Sequence, residues 1–168
     1  MSLTAPGFER KTLPGISLMI KSGYMDQALD EARAAAQRGE VPVGAVLVDS
    51  QTGDVLAAAG NQVEADTDPT AHAEMLVLRA ATARLGSPRL AMCDLYVTLE
   101  PCAMCAQAIA FARVRRLYFG AADPKGGGVE HGARIFSQST CHHQPEIYSG
   151  IGDAAAADLL RGFFAARR

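Results

Sequence analysis

The chain has 168 residues, 49% apolar and 20% charged, the balance of a soluble globular protein. That length suits one domain with a sizeable core and is short for two, and no apolar run reaches the roughly eighteen residues that a membrane span needs. A formal net charge of −2 excludes a broadly basic, non-specific nucleic-acid binder, while leaving room for a small local basic footprint.

Residues 1–21 hold Pro6, Gly7, Pro14 and Gly15 without sustained periodicity, and the apolar run at 16–20 is too short for a secretory core. They are expected to be a disordered leader, with residues 22–168 forming one domain. Over 24–38, Met25, Ala28, Leu29, Ala32 and Ala36 fall on one stripe and Asp26, Asp30, Glu31 and Arg33 lie off it. This predicts a helix that Gly39 ends. Residues 43–49 and 54–59 are apolar runs of strand length, and turn chemistry at 50–53 joins them as a hairpin. The unbroken Val46-Leu47-Val48 suits a strand covered on both faces, which needs helices on each side.

After a polar loop at 61–70, Asp68 as N-cap and Pro69 at the first helical position predict a helix reaching Leu85, with Met75, Leu76, Leu78 and Ala81 inward. A strand over 95–99 leads directly into a helix ending near Ala112, with Pro101 at its first position. Residues 116–119 form a further strand, and the strand–helix–strand unit is expected as a right-handed crossover with parallel strands. The glycine-rich 123–128 lacks the glycine-lysine-serine/threonine pattern of a P-loop and reads as a mobile loop beside the site. A helical turn over 132–137, a short strand over 146–149 and a terminal helix over 154–168, N-capped by Asp153, complete the chain. This order is that of an α/β fold, a three-layer α/β/α sandwich around a mixed sheet.

The chemistry concentrates in His72-Ala73-Glu74 and Pro101-Cys102-Ala103-Met104-Cys105. Cysteines three apart share a helical face, and the positive end of a helix favours the thiolates that zinc requires. His72 and Glu74 are two apart, so both reach one site only over the end of their helix. Two thiolates and one imidazole leave a zinc position for water, and the carboxylate of Glu74 is placed to shuttle protons. The combination matches a recurring signature of zinc-dependent nucleobase deaminases. The alternatives are buried filler cysteines, a dithiol redox pair, and a closed structural zinc site with Cys93 or Cys141 as fourth ligand. Four cysteines, two of them claimed by a metal motif, fit a reducing, cytoplasmic setting rather than a secreted disulfide framework.

From about Tyr24 onward the chain resembles the bacterial tRNA-specific adenosine deaminases of the cytidine deaminase superfamily. The resemblance rests on Glu40-Val-Pro-Val-Gly-Ala-Val-Leu-Val48, Gly60-Asn61, Asp68-Pro-Thr-Ala-His-Ala-Glu74, Leu95-Tyr-Val-Thr-Leu-Glu-Pro-Cys-Ala-Met-Cys105, Asp123-x-Lys125-x-Gly127 and the closing Phe163-Phe164 helix. It implies a cytidine deaminase-like fold and one zinc ion held by His72, Cys102 and Cys105, with Glu74 as catalytic proton shuttle. It also implies substrate contacts from Asn61, which hydrogen-bonds the base, and from Asp123 and Lys125. The implied reaction is adenosine to inosine at the wobble position of a tRNA anticodon loop, by a homodimer whose groove uses both chains. The sequence departs from the family at Cys141-His142-His143-Gln-Pro145-Glu146, where many members carry an Asn-His pair before Val-Glu. A deaminase of a free base or nucleotide (guanine, deoxycytidylate or cytosine) would share these zinc and shuttle residues, and a non-catalytic zinc module is the reading from a different class.

Overall fold

The computed structural model describes the backbone of residues 16–167 and the side chains of 23–167. The elements are α1 (Ile16–Gln37), β1 (Gly44–Asp49), β2 (Val55–Gly60), α2 (Ala73–Leu85), β3 (Cys93–Leu99), α3 (Ala103–Ala112), β4 (Arg116–Ala121), a 3-10 turn (Ile135–Ser137), β5 (Glu146–Tyr148) and α4 (Asp153–Ala165). Of the leader expected over 1–21, residues 1–15 lie outside the described residues, and 16–21 belong to α1. Arg168, the last residue of the helix expected over 154–168, also lies outside them, and α4 ends at Ala165. Among the described residues no helix is long and apolar enough to cross a membrane.

The strands form one mixed sheet in the order β2-β1-β3-β4-β5. The β1–β2 hairpin and the β1–β3 pair are antiparallel, whereas β3–β4 and β4–β5 are parallel. Residues alternate sides along each strand, and the core divides accordingly. Ala45, Leu47, Leu95, Val97, Leu117 and Phe119 pack with Val77, Leu78 and Ala81 of α2 and Ile109 and Ala110 of α3. Val46, Val48, Tyr96 and Tyr118 pack on the other face with Met25, Ala28 and Leu29 of α1 and Ala156 of α4. Each fully buried Val, Leu, Ile or Phe contributes about 1.5–3 kcal/mol, and burial on both faces holds the sheet between helix layers as the expected sandwich requires.

Helix boundaries differ from the local rules in instructive ways. Asp68 does not start α2: its Oδ1 accepts from the N–H and hydroxyl of Thr70, closing a turn, and the helix begins at Ala73. The chain at His72 is extended (φ −70°, ψ 150°), so that residue is the N-cap. Pro101 likewise precedes the N-cap instead of occupying the first helical position. Cys102 (φ −68°, ψ 173°) is the cap because it is still extended and pairs with Gly127. At α4 the cap is Gly152, left-handed at φ 73°, and Asp153 is the first helical residue. Inward positions shift slightly too: Val77 is fully buried while Met75 and Leu76 are half-buried, and Ala35 replaces Ala36 on the buried stripe of α1.

Candidate active site

Helices α2 and α3 begin side by side, and the side chain at each N-cap position makes no capping hydrogen bond. Neither the His72 ring nor the Cys102 thiol bonds its own helix N-terminus. Histidine and cysteine are not the usual capping side chains, and here both are free to meet each other. The first amide of α2 is satisfied from elsewhere: Ala73 N–H donates to Asn61 Oδ1 at 3.0 Å. That bond also settles which end of the Asn61 amide is oxygen and leaves Nδ2 as its donor.

His72 Nδ1 lies 3.7 Å from Cys102 Sγ and 3.5 Å from Cys105 Sγ, and the three donor atoms fall within 4.8 Å of one another. The set fits zinc: bond lengths of about 2.0 Å to nitrogen and 2.3 Å to sulfur put the N···S edge of a tetrahedron at about 3.5 Å. Among the described residues Cys93 and Cys141 do not join this grouping, so it offers three protein ligands. The hydrogen bond from Cys105 brings the Cys102 thiol down to about 4, and burial reinforces the opposite trend at Cys105, which is held as the thiol donor of the pair. The Cys102 sulfur in turn raises the pKa of His72. The direction at Cys102 favours the thiolate that a metal ligand must supply.

Glu74 is 4% exposed, and burial pushes its carboxyl up to about 7. It sits beside the cysteines without belonging to the donor grouping. Glu74, His72, Cys102 and Asn61 all line one cavity of about 510 Å3, together with Glu40, Asp123, Gly126, Phe163 and Arg167. That volume is within the range of small-molecule sites.

The structure therefore brings together His72, Cys102, Cys105, Glu74 and Asn61, and adds Asp123 at the cavity wall. Asp123 Oδ1 accepts from the amides of Lys125 and Gly126, so this residue shapes the turn as well as facing the cavity. Lys125 is exposed at the turn and does not line the cavity. The departure at 141–143 lies apart from the donor grouping. His143 Nε2 bonds the Val114 carbonyl, Cys141 Sγ donates to the His143 carbonyl, and Arg113 Nη1 donates to that of His142.

Two buried carboxylates that line the cavity, Glu40 and Glu100, were not singled out by sequence reasoning. Glu40, 2% exposed, accepts the amides of Glu64 and Ala65 and so shapes the wall next to Asn61. Glu100, also 2% exposed, collects donors from the glycine-rich loop. Burial alone would raise the pKa of Glu100, but the donors from Asp123, His131 and Glu130 hold it below the usual carboxylate range. The signal available in the sequence was a lone glutamate between Leu99 and Pro101, at the end of an apolar strand.

The pattern of the cytidine and deoxycytidylate deaminase zinc-binding region matches residues 19–121. A tRNA-specific adenosine deaminase of Agrobacterium fabrum is 56% identical over 148 residues, 88% of this chain and 96% of that protein. One of Rickettsia bellii is 45% identical over 140 residues, covering 83% and 97% respectively. A structure solved in studies of A-to-I editing by tRNA:A34 deaminases at the wobble position of transfer RNA superposes with a TM-score of 0.80. It is 57% identical, covering 83% of this chain and 99% of that one.

Proposed function

Because the chain belongs to the cytidine and deoxycytidylate deaminase zinc-binding family, we propose that it converts adenosine to inosine at the wobble position of a tRNA anticodon loop, of the arginine type. The observation that carries this reading is the three-donor grouping beside a buried glutamate in one cavity. The choice of RNA over a free base is supported by the relatives.

Zinc held by His72, Cys102 and Cys105 supplies Lewis acidity that makes water a usable nucleophile near neutral pH. Glu74 takes the proton released by that water and delivers it to N1 of the adenine as C6 is attacked. It then carries the proton of the new C6 hydroxyl to the departing amino nitrogen as the C6–N bond breaks, so one water is consumed, the C6 carbonyl of inosine forms and one ammonia leaves. The amide nitrogen of Asn61 is the donor that orients the base, because its oxygen is committed to Ala73. Asp123 at the wall and Lys125 on the exposed turn contact the flanking nucleotides. The target base must leave its stack to enter, which is least costly in a single-stranded loop.

The protein acts as a homodimer, in the cytoplasm where tRNA is found. An apolar groove between α2 and α3, lined by Met75, Leu78, Pro88, Ala108 and Phe111, is the face offered to the second copy. Phe111 on that groove is 73% exposed in the single chain.

The test compares ammonia release from an arginine-tRNA anticodon stem-loop, free adenosine, guanine and deoxycytidylate. Turnover is expected for the stem-loop alone. Turnover of guanine or deoxycytidylate with an inert stem-loop would overturn the RNA reading while leaving the zinc site intact.

A further inference from the structure

Glu100 receives more hydrogen bonds than its place in the chain suggests. Its Oε1 accepts the amides of Val129 (3.2 Å), Glu130 (2.8 Å) and His131 (2.9 Å). Its Oε2 accepts the amide of Asp123 at 3.0 Å and His131 Nδ1–H at 2.7 Å. All of these donors come from one segment, 123–131. A carboxylate withdrawn from water is tolerated only when donors replace its hydration, and here a single loop supplies them.

That segment has no helix or strand of its own and carries Gly126, Gly127 and Gly128 in succession. Left alone, three glycines would give it many conformations. It is instead fastened at the metal cysteine. Gly127 pairs with Cys102, and Gly128 N–H donates to the Pro101 carbonyl at 2.8 Å. A Cβ on Gly128 would lie 2.5 Å from the Ala103 nitrogen, so only glycine lets the loop approach this closely. Asp123 and Gly126 of the same segment line the cavity. The segment expected to be mobile is therefore held in place. Main chain and side chain of Glu100 work in opposite directions: the first leads into Cys102, the second gathers the loop that covers it.

We propose that Glu100 is a positioning residue for substrate, holding 123–131 as a preformed wall of the cavity so that RNA does not have to order the loop when it binds. The inference rests on the RNA reading above. The loop meets the metal site through main-chain bonds at Pro101 and Cys102, which do not involve the Glu100 side chain, while His72, Glu74 and Cys105 are carried on α2 and α3. The effect of Glu100 therefore falls on binding rather than on the chemical step.

Glu100→Gln keeps the shape and replaces one acceptor oxygen by an NH2 that faces donors. Amide hydrogen exchange at Asp123, Val129, Glu130 and His131 is expected to speed up by about tenfold or more. Zinc content stays at one per chain. The KM for the anticodon stem-loop is expected to rise about tenfold while kcat stays within about threefold. Unchanged exchange at those amides, loss of zinc, or a fall in kcat matching the fall in kcat/KM would each overturn the proposal. Should that variant fail to fold, His131→Ala removes one of the donors from a half-exposed ring and is expected to raise KM by about two- to threefold, kcat unchanged; no change in KM would equally overturn it. The exchange measurement needs no substrate. Failure of the wild-type protein to act on RNA would thus sink the RNA reading without touching the result for the loop.

Discussion

Glu74 lies two residues after the metal-facing His72, yet on the buried side of the first turn of α2, where it is 4% exposed. Its carboxyl is not one of the three clustered donors, so metal binding and proton transfer are separable by mutation. Glu74→Ala is expected to retain one zinc per chain, measured by metal analysis, and to lose about 10²–10⁴-fold in inosine formation, the usual contribution of a positioned acid–base group. Turnover close to wild type would remove Glu74 from its role. These residues were legible in the sequence because their chemistry is local: a His-x-Glu and a Cys-x-x-Cys each open a helix. Glu40 and Glu100 were not, because their partners stand far along the chain, at Glu64 and Ala65 and at 123–131. No spacing rule reports a carboxylate whose donors are backbone amides of a distant loop.

At the level of elements, the strands and the two-sided core followed from apolar runs, and the parallel pairing of β3 with β4 followed from the helix between them. Helix starts were harder to read, because a capping side chain can be spent on a turn instead. Asp68 was consumed by Thr70, and α2 waited until His72, with Asn61 arriving from the end of β2 to take the free amide. The contact between α1 and the sheet rests on a different local feature. A Cβ on Gly44 would collide with the Ala28 carbonyl and the Ala32 nitrogen, so α1 lies against β1 with no room for a side chain. Gly44→Ala forces the helix off the sheet at a cost of about 1–3 kcal/mol. In a chain of this size the melting temperature is expected to fall by roughly 3–10 °C, read by thermal unfolding. Zinc content should not change, since the metal-facing residues lie on α2 and α3 across the sheet. An unaltered melting temperature would show that the helix can move aside without loss.

For the whole molecule, the charge and the exposed apolar surface point in complementary directions. With 16 Lys and Arg against 18 Asp and Glu, a single chain has no net excess of positive charge, so RNA phosphates must be held by a local basic footprint. A groove built from two copies would bring basic groups of both to one substrate, which gives association a functional reason. The face available for it is the apolar groove between α2 and α3, on the outside of the layer that carries the metal-facing residues. A two-fold contact there places Phe111 of each chain against the partner's groove, since such an interface uses the same patch twice. Phe111→Asp puts a charge where an aromatic anchor should be buried, and loss of a central anchor of this kind typically costs at least about 2 kcal/mol of association. The wild-type protein is expected to sediment as a dimer at micromolar concentration and the variant as a monomer that still holds its zinc. Stem-loop turnover by that monomer should fall while its thermal stability is largely kept, because Phe111 is outside the core of the single chain. A variant that sediments as the wild type does would place the interface elsewhere, and a monomer with full activity would remove the second chain from the substrate groove.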